Sequence, residues 1–158
     1  MQDDKADFML GAIQLARDGM VRNEGGPFGA LVIKDGQIIG RGNNQVTSSN
    51  DPTAHAEIVA IRDACRHLKS FQLEGCVLFT SCEPCPMCLG AIYWARPSHV
   101  FYACTRDDAS HAGFDDSFIY EEIQLPLSSR KIPMTQLLRE EAIRVFEEWK
   151  QKGDRVEY

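Results

Sequence analysis

Three residues of this 158-residue sequence have the types and spacing to hold one metal ion: His55, Cys85 and Cys88. Cys85 and Cys88 stand three apart in Pro84-Cys85-Pro86-Met87-Cys88, at the predicted start of a helix, so both sulfurs project from one face of its first turn. The helix dipole favours thiolates there, and the thiolate is the form that binds metal. His55 adds a nitrogen. Three protein ligands leave a tetrahedral ion one open position, which is the arrangement of catalytic rather than structural zinc. Zinc of that kind turns water into a nucleophile near neutral pH by lowering its pKa to about 7.

Each piece has a plainer reading. A Cys-x-x-Cys at a helix start can be a redox dithiol, and a single histidine can be a satisfied core residue. The coincidence of the pieces, with a strand feeding each region, favours the metal. Cys82 forms a second, overlapping Cys-x-x-Cys with Cys85, but it ends a strand and reads as a buried thiol. Cys65, Cys76 and Cys104 lie in apolar periodic segments and read as core. His67, His99 and His111 have no ligand spacing. A structural zinc module would need four protein ligands, and three are credible here.

The elements that must position these groups follow from periodicity. Met9, Ala12, Ile13, Ala16 and Met20 recur at helical spacing behind the caps Asp3 and Asp4, with Gly19 as terminator. Phe28 to Ile33 and Gln37 to Arg41 read as a hairpin turning at Lys34-Asp35-Gly36. The polar stretch Gly42 to Asn50 reads as a surface connection. Asp51 as cap and Pro52 in the first turn predict a helix to about Lys69. Cys76 to Thr80 reads as a short buried strand, Pro86 opens a helix ending near Arg96, and His99 to Ala103 is a further strand. Gly113 to Ser128 looks mostly irregular. Leu138, Ala142, Val145, Phe146 and Trp149 form one face of a last helix ending near Gly153. Alternating strands and helices imply an α/β fold whose later strands run parallel.

Length and composition place the chain as one globular domain, with 44% hydrophobic and 25% charged residues and no repeat or low-complexity tract. The acidic start, Met1-Gln2-Asp3-Asp4-Lys5, differs from a signal peptide, and no apolar run approaches the roughly 18 residues of a membrane span. A cytoplasmic protein without a membrane partner is therefore expected, in a compartment where six cysteines stay reduced. The net charge of -6 repels phosphate and argues against a nucleic-acid partner.

The order His55-x-Glu57, then Pro84-Cys85-x-x-Cys88, resembles the signature of zinc deaminases, in which the glutamate carries a proton and is not a ligand. Glu57 lies about 200° around a helix from His55, so both reach one ion only if that helix points at it end-on. The likeness extends to Gly25-Gly26-Pro27-Phe28-Gly29-Ala30, to Asn50 through Glu57, to Thr80 through Pro97 and to Gly113 through Phe118. On these segments the chain resembles the cytidine-deaminase-like zinc enzymes and, within them, the guanine-deaminating members. The resemblance implies a three-layer α/β/α fold with a central mixed sheet flanked by helices, one zinc ion per subunit, and hydrolysis of guanine to xanthine and ammonia. It implies Glu57 and Asp116 as catalytic residues, Asn44 as a hydrogen-bond partner of the purine, Phe28 and Trp94 as walls of the ring site, and Tyr158 as a further substrate contact. It also implies a homodimer in which a carboxy-terminal segment, about 133–158, crosses to the partner. Without the resemblance, Asn44 reads as a turn residue, Phe28 and Trp94 as core aromatics, and Asp116 as a solvated charge. A tRNA adenosine deaminase shares the metal motifs, though the negative charge opposes it. Guanosine and cytosine are alternative small substrates.

Overall fold

Alternation of buried residues along one strand fixes the layers of this protein. A computed structural model describes residues 2–158, and their side chains from residue 4 onward. In β1 (Gly29–Lys34), Ala30 and Val32 point to one face of the sheet and Leu31 and Ile33 to the other, and all four are buried. Leu31 and Ile33 pack with Ala12 and Phe79 beneath α1 (Gln2–Val21). Ala30 and Val32 pack with Ala56, Ala60 and Ala64 of α3 (Ala56–Leu68) and with Ile92 and Ala95 of α4 (Pro86–Ala95). A sheet sandwiched between helices on both faces results.

The sheet has the order β2-β1-β3-β4. β1 pairs antiparallel with β2 (Gln37–Asn43) through the Asp35-Gly36 turn, and antiparallel with β3 (Val77–Cys82). β3 and β4 (His99–Cys104) run parallel, joined by the crossover helix α4. The sheet is therefore mixed, and the expected hairpin and parallel later strands are both present.

The close fit of α3 on β2 depends on residue size. A side chain at Gly42 would run into the Ala56 carbonyl, and one at Gly40 would come within 2.5 Å of the Ala60 carbonyl. Small residues on both partners bring the start of α3 down onto the end of β2, which sets His55 near Asn43 and Asn44.

Several boundaries differ from the sequence-based expectation. α1 passes through Gly19 to Val21, Asp4 lies inside it, and Asp3 falls outside the described side chains. α3 starts at Ala56, not at Pro52. The Asp51 carboxylate accepts from the Thr53 N–H at 2.8 Å and the Thr53 hydroxyl at 2.7 Å, so it closes a turn of its own and caps no helix. The connection expected on the surface is partly core, because Asn43 and Asn44 are buried, and it holds the short helix α2 (Val46–Ser49). Cys104 is exposed on the outer strand β4, not packed in the core.

After β4 the chain forms α5 (Arg106–His111), fixed at its start by a capping box between Thr105 and Asp108. The stretch expected to be irregular contains α6 (Ser117–Gln124) and a single 3-10 turn, Leu127–Ser129, before α7 (Arg139–Gln151). The chain divides into two compact units, one ending at Asp116 and the other Ser117–Tyr158. No described helix is long and apolar enough to cross a membrane.

Candidate active site

Two helix starts carry the metal ligands. His55 is the N-cap of α3, with extended backbone (φ -69°, ψ 156°), and Cys85 is the N-cap of α4 (φ -66°, ψ 169°). His55 therefore precedes the helix, and Glu57 sits in its first turn. The 200° separation that a continuous helix would impose never arises. Cys88 occupies the first turn of α4, so both ligand cysteines lie at the positive end of that helix.

His55 Nδ1 lies 3.5 Å from the sulfur of Cys85 and 3.5 Å from that of Cys88. The three ligand atoms all fall within 4.8 Å of one another. Zinc bonds of about 2.3 Å to sulfur and about 2.0–2.1 Å to nitrogen, at a tetrahedral angle, require a nitrogen-to-sulfur distance of about 3.5 Å. The donor set and its spacing thus fit zinc. Cys82 is buried at the end of β3 and outside this triangle, as its strand position implied.

The local electrostatics suit a metal. The Cys88 thiol and His55 both hydrogen-bond the Cys85 sulfur, and together with the Cys88 N–H they hold its pKa down to about 4, against the cost of burial. Cys88 is pushed up, because it supplies the proton that stabilises the Cys85 thiolate and because it is buried beside Glu57. His55 is raised by its hydrogen bond to Cys85. A dication held by these residues would take the place of those protons as the partner of both sulfurs. Glu57 is 6% exposed, and its Oε2 accepts from Cys88 Sγ at 3.5 Å. Burial pushes its carboxyl up, and the Cys85 thiolate adds to the shift.

A cavity of about 370 Å³ opens above the triangle, within the first unit. His55, Glu57 and Cys85 line its floor, and Cys88 lies fully buried beneath. Phe28, Asn44 and Asp116 also line the cavity, so the sheet end, the α2 loop and the segment after α5 converge on the metal ligands. Burial raises the Asp116 carboxyl and so does the Cys85 thiolate, while Arg106, also at the cavity, pulls it down.

Trp94 and Tyr158 do not line this cavity in the single chain. Trp94 lies on the outer side of α4, 63% exposed. The second aromatic wall is Phe114, whose ring meets Phe28 edge-on with centroids 4.9 Å apart. Tyr158 ends the second unit, 71% exposed. Phe114 and Arg106 went unrecognised in the sequence as cavity residues. Phe114 follows Gly113, whose φ of 93° turns the chain, and a glycine before an aromatic and two acids was the available signal.

Residues 2–104 match the zinc-binding region of cytidine and deoxycytidylate deaminases. A guanine deaminase of Bacillus subtilis is 56% identical over 151 residues, covering 96% of this chain and 97% of the relative. An X-ray structure of guanine deaminase from Bacillus subtilis superposes with a TM-score of 0.95 at 55% identity, over 97% of this chain and 98% of that one. A tRNA-specific adenosine deaminase of Aquifex aeolicus is 33% identical, covering 94% of this chain and 95% of the relative. The spacing of His55, Cys85 and Cys88, the carboxylate of Glu57 against them and these likenesses converge on one conclusion: the chain belongs to the cytidine and deoxycytidylate deaminase family of zinc enzymes.

Proposed function

We propose that this protein is a zinc-dependent guanine deaminase, a hydrolase that converts guanine and water to xanthine and ammonia. The observation that carries this reading is a buried carboxylate, Glu57, touching a three-ligand zinc site at the floor of an aromatic-walled cavity. The substrate follows the relative that is 56% identical over nearly the whole of both chains.

Zinc held by His55, Cys85 and Cys88 supplies the Lewis acidity that makes water a nucleophile near neutral pH. Glu57 takes the proton of the attacking water and returns it to the purine as the C2–O bond forms. Its burial suits that role, because burial raises the carboxyl from its usual range and so favours its taking up a proton. Asp116, similarly raised, protonates the amino group, the C2–N bond breaks and ammonia leaves, and the C2 hydroxyl proton returns to the Asp116 carboxylate as the carbonyl of xanthine forms. Phe28 and Phe114 wall the ring, and Asn44 hydrogen-bonds its edge. Pairing of the purine's polar edge supports selectivity, since a base of different pattern leaves buried partners unmatched.

We also propose that the protein acts in the cytoplasm as a homodimer, with residues about 133–158 crossing to the partner and bringing Tyr158 to the substrate. The apolar face of α7 supports this: Val145, Phe146 and Trp149 are 63%, 68% and 40% exposed in the single chain. Dimer mass in sedimentation, lost in Phe146→Glu, is expected; a monomeric wild type overturns it.

The test of substrate is ammonia release by the zinc-loaded protein from guanine, guanosine, adenine, cytosine and a tRNA stem-loop. Release from guanine is expected to dominate. The net charge of -6 opposes the stem-loop. No release from guanine overturns the reading.

A further inference from the structure

Asn44 is gripped by one atom of its amide and open at the other. Its Oδ1 accepts from the backbone N–H groups of Gly26 and Val46, each at 3.2 Å. With the oxygen doubly committed, Nδ2 is left to the cavity that Asn44 lines. An amide held in this way offers substrate a donor and no acceptor.

The supports of that orientation lead to Glu24, a residue outside the cavity wall. Glu24 is tied to the end of α1 through its N–H, which donates to the Gly19 carbonyl at 3.0 Å. Its carboxylate accepts from Asn43 Nδ2 at 2.6 Å and from Arg22 Nε at 2.8 Å. The same Asn43 Nδ2 donates to the Asn44 carbonyl at 3.2 Å, so one buried NH2 group links Glu24 to the Asn44 backbone. An ionised carboxylate only accepts, and this dictates which way the Asn43 amide must point.

A second path runs through the main chain. The Glu24 carbonyl accepts from the Ser48 N–H and the Thr47 hydroxyl, each at 3.2 Å. These bonds anchor α2, whose first residue, Val46, supplies one of the two donors to Asn44 Oδ1. Gly26, which supplies the other donor, follows Glu24 by two residues. Sterics enforce the fit: a side chain at Gly19 would strike the Asn43 amide, and one at Gly25 would fall on Asn44 Oδ1. A glycine inside α1 and another before Gly26 are explained together.

We propose that Glu24 is a positioning residue for substrate recognition, fixing Asn44 as a donor so that the cavity selects a purine with a hydrogen-bond acceptor at that point. This rests on the guanine deaminase reading. Glu24 touches neither the metal ligands nor the reacting atoms. Its loss therefore belongs in KM and leaves the zinc content and the chemical step in place.

The experiment compares zinc content and steady-state kinetics on guanine for the wild type, Glu24→Ala, Glu24→Gln, Asn44→Ala and the double variant Glu24→Ala/Asn44→Ala. Glu24→Ala is expected to raise KM by roughly 10-fold, the scale of one disrupted hydrogen bond, with full zinc and kcat within about threefold. Glu24→Gln keeps an acceptor for Asn43 and should fall between it and the wild type. The double variant should be no worse than Asn44→Ala alone, because both changes remove the same contact. An unchanged KM in Glu24→Ala, or effects that multiply in the double variant, overturns the proposal. If Glu24→Ala fails to fold, the same cycle run with Glu24→Gln decides by the same criterion. A wild type active on guanine beside an unaffected Glu24 variant sinks the positioning role alone, whereas a wild type inactive on guanine sinks the substrate reading as well.

Discussion

The floor and the wall of the cavity are built in different ways. The floor uses two helix starts, where His55, Glu57, Cys85 and Cys88 lie within one turn of an N-cap and the backbone dictates their approach. The wall is assembled from Phe28 at a strand entrance, Asn44 beyond a strand end, and Phe114 and Asp116 in the segment after α5. In the proposed reaction the floor residues and Asp116 act on bonds, while Phe28, Asn44 and Phe114 act on fit. Changes to the floor should therefore appear in zinc content and kcat, changes to Asp116 in kcat alone, and changes to the other wall residues in KM.

The largest effect is expected at the ligands. Cys85→Ser should lose zinc, measured by atomic absorption, and drop turnover to background, while Cys82→Ser keeps both. Next comes Glu57→Gln, which should keep zinc and lower kcat by roughly 10²–10⁴-fold, the usual contribution of a proton carrier. A Glu57→Gln protein with full turnover would erase the distinction drawn for the floor. Asn44→Ala should raise KM for guanine by about 10–100-fold, as expected for a lost buried hydrogen bond, with zinc unchanged. The smallest effect is expected for Phe114→Leu, a rise in KM of a few-fold, since leucine keeps apolar contact and loses only the edge-on ring packing worth about 0.5–1.5 kcal/mol. A larger effect on kcat than on KM at Phe114 would move that residue from fit to chemistry.

The two compact units differ in a related way. The core residues belong to the first unit, whereas the described helices of the second bury none of their side chains. The apolar face of α7 was legible as a 3.6-residue pattern, but periodicity says which side is apolar and not what covers it.

Legibility in the sequence tracked the range of the interactions. Cys85 and Cys88 announce themselves because ligands on one helix turn need a fixed local spacing, and Pro86 at the first helical position marks that turn. The hairpin is equally local. α3 was misplaced because Asp51-Pro52 satisfies the rules for a helix start while the Asp51 side chain closes a turn on Thr53. α6 carries Glu121 and Glu122 behind Asp115 and Asp116, which masks its apolar residues in the sequence, and an aromatic such as Trp94 on a metal-bearing helix can face either way.

By itself the sequence singled out the residues that could hold zinc, Glu57 as the proposed proton carrier, the mixed α/β architecture and, through its likeness to known enzymes, the chemistry. Those follow from short-range spacing, which survives whatever the rest of the chain does. Only the tertiary structure decided that Phe114 meets Phe28, that Asn43 and Asn44 are buried, that Glu24 accepts from Asn43, and that the Asn44 amide oxygen accepts from the Gly26 and Val46 N–H groups. The placement of Asn43 and Asn44 depends on Gly19 of α1 and on Gly25, where a side chain would strike one or the other, a contact that no local pattern records.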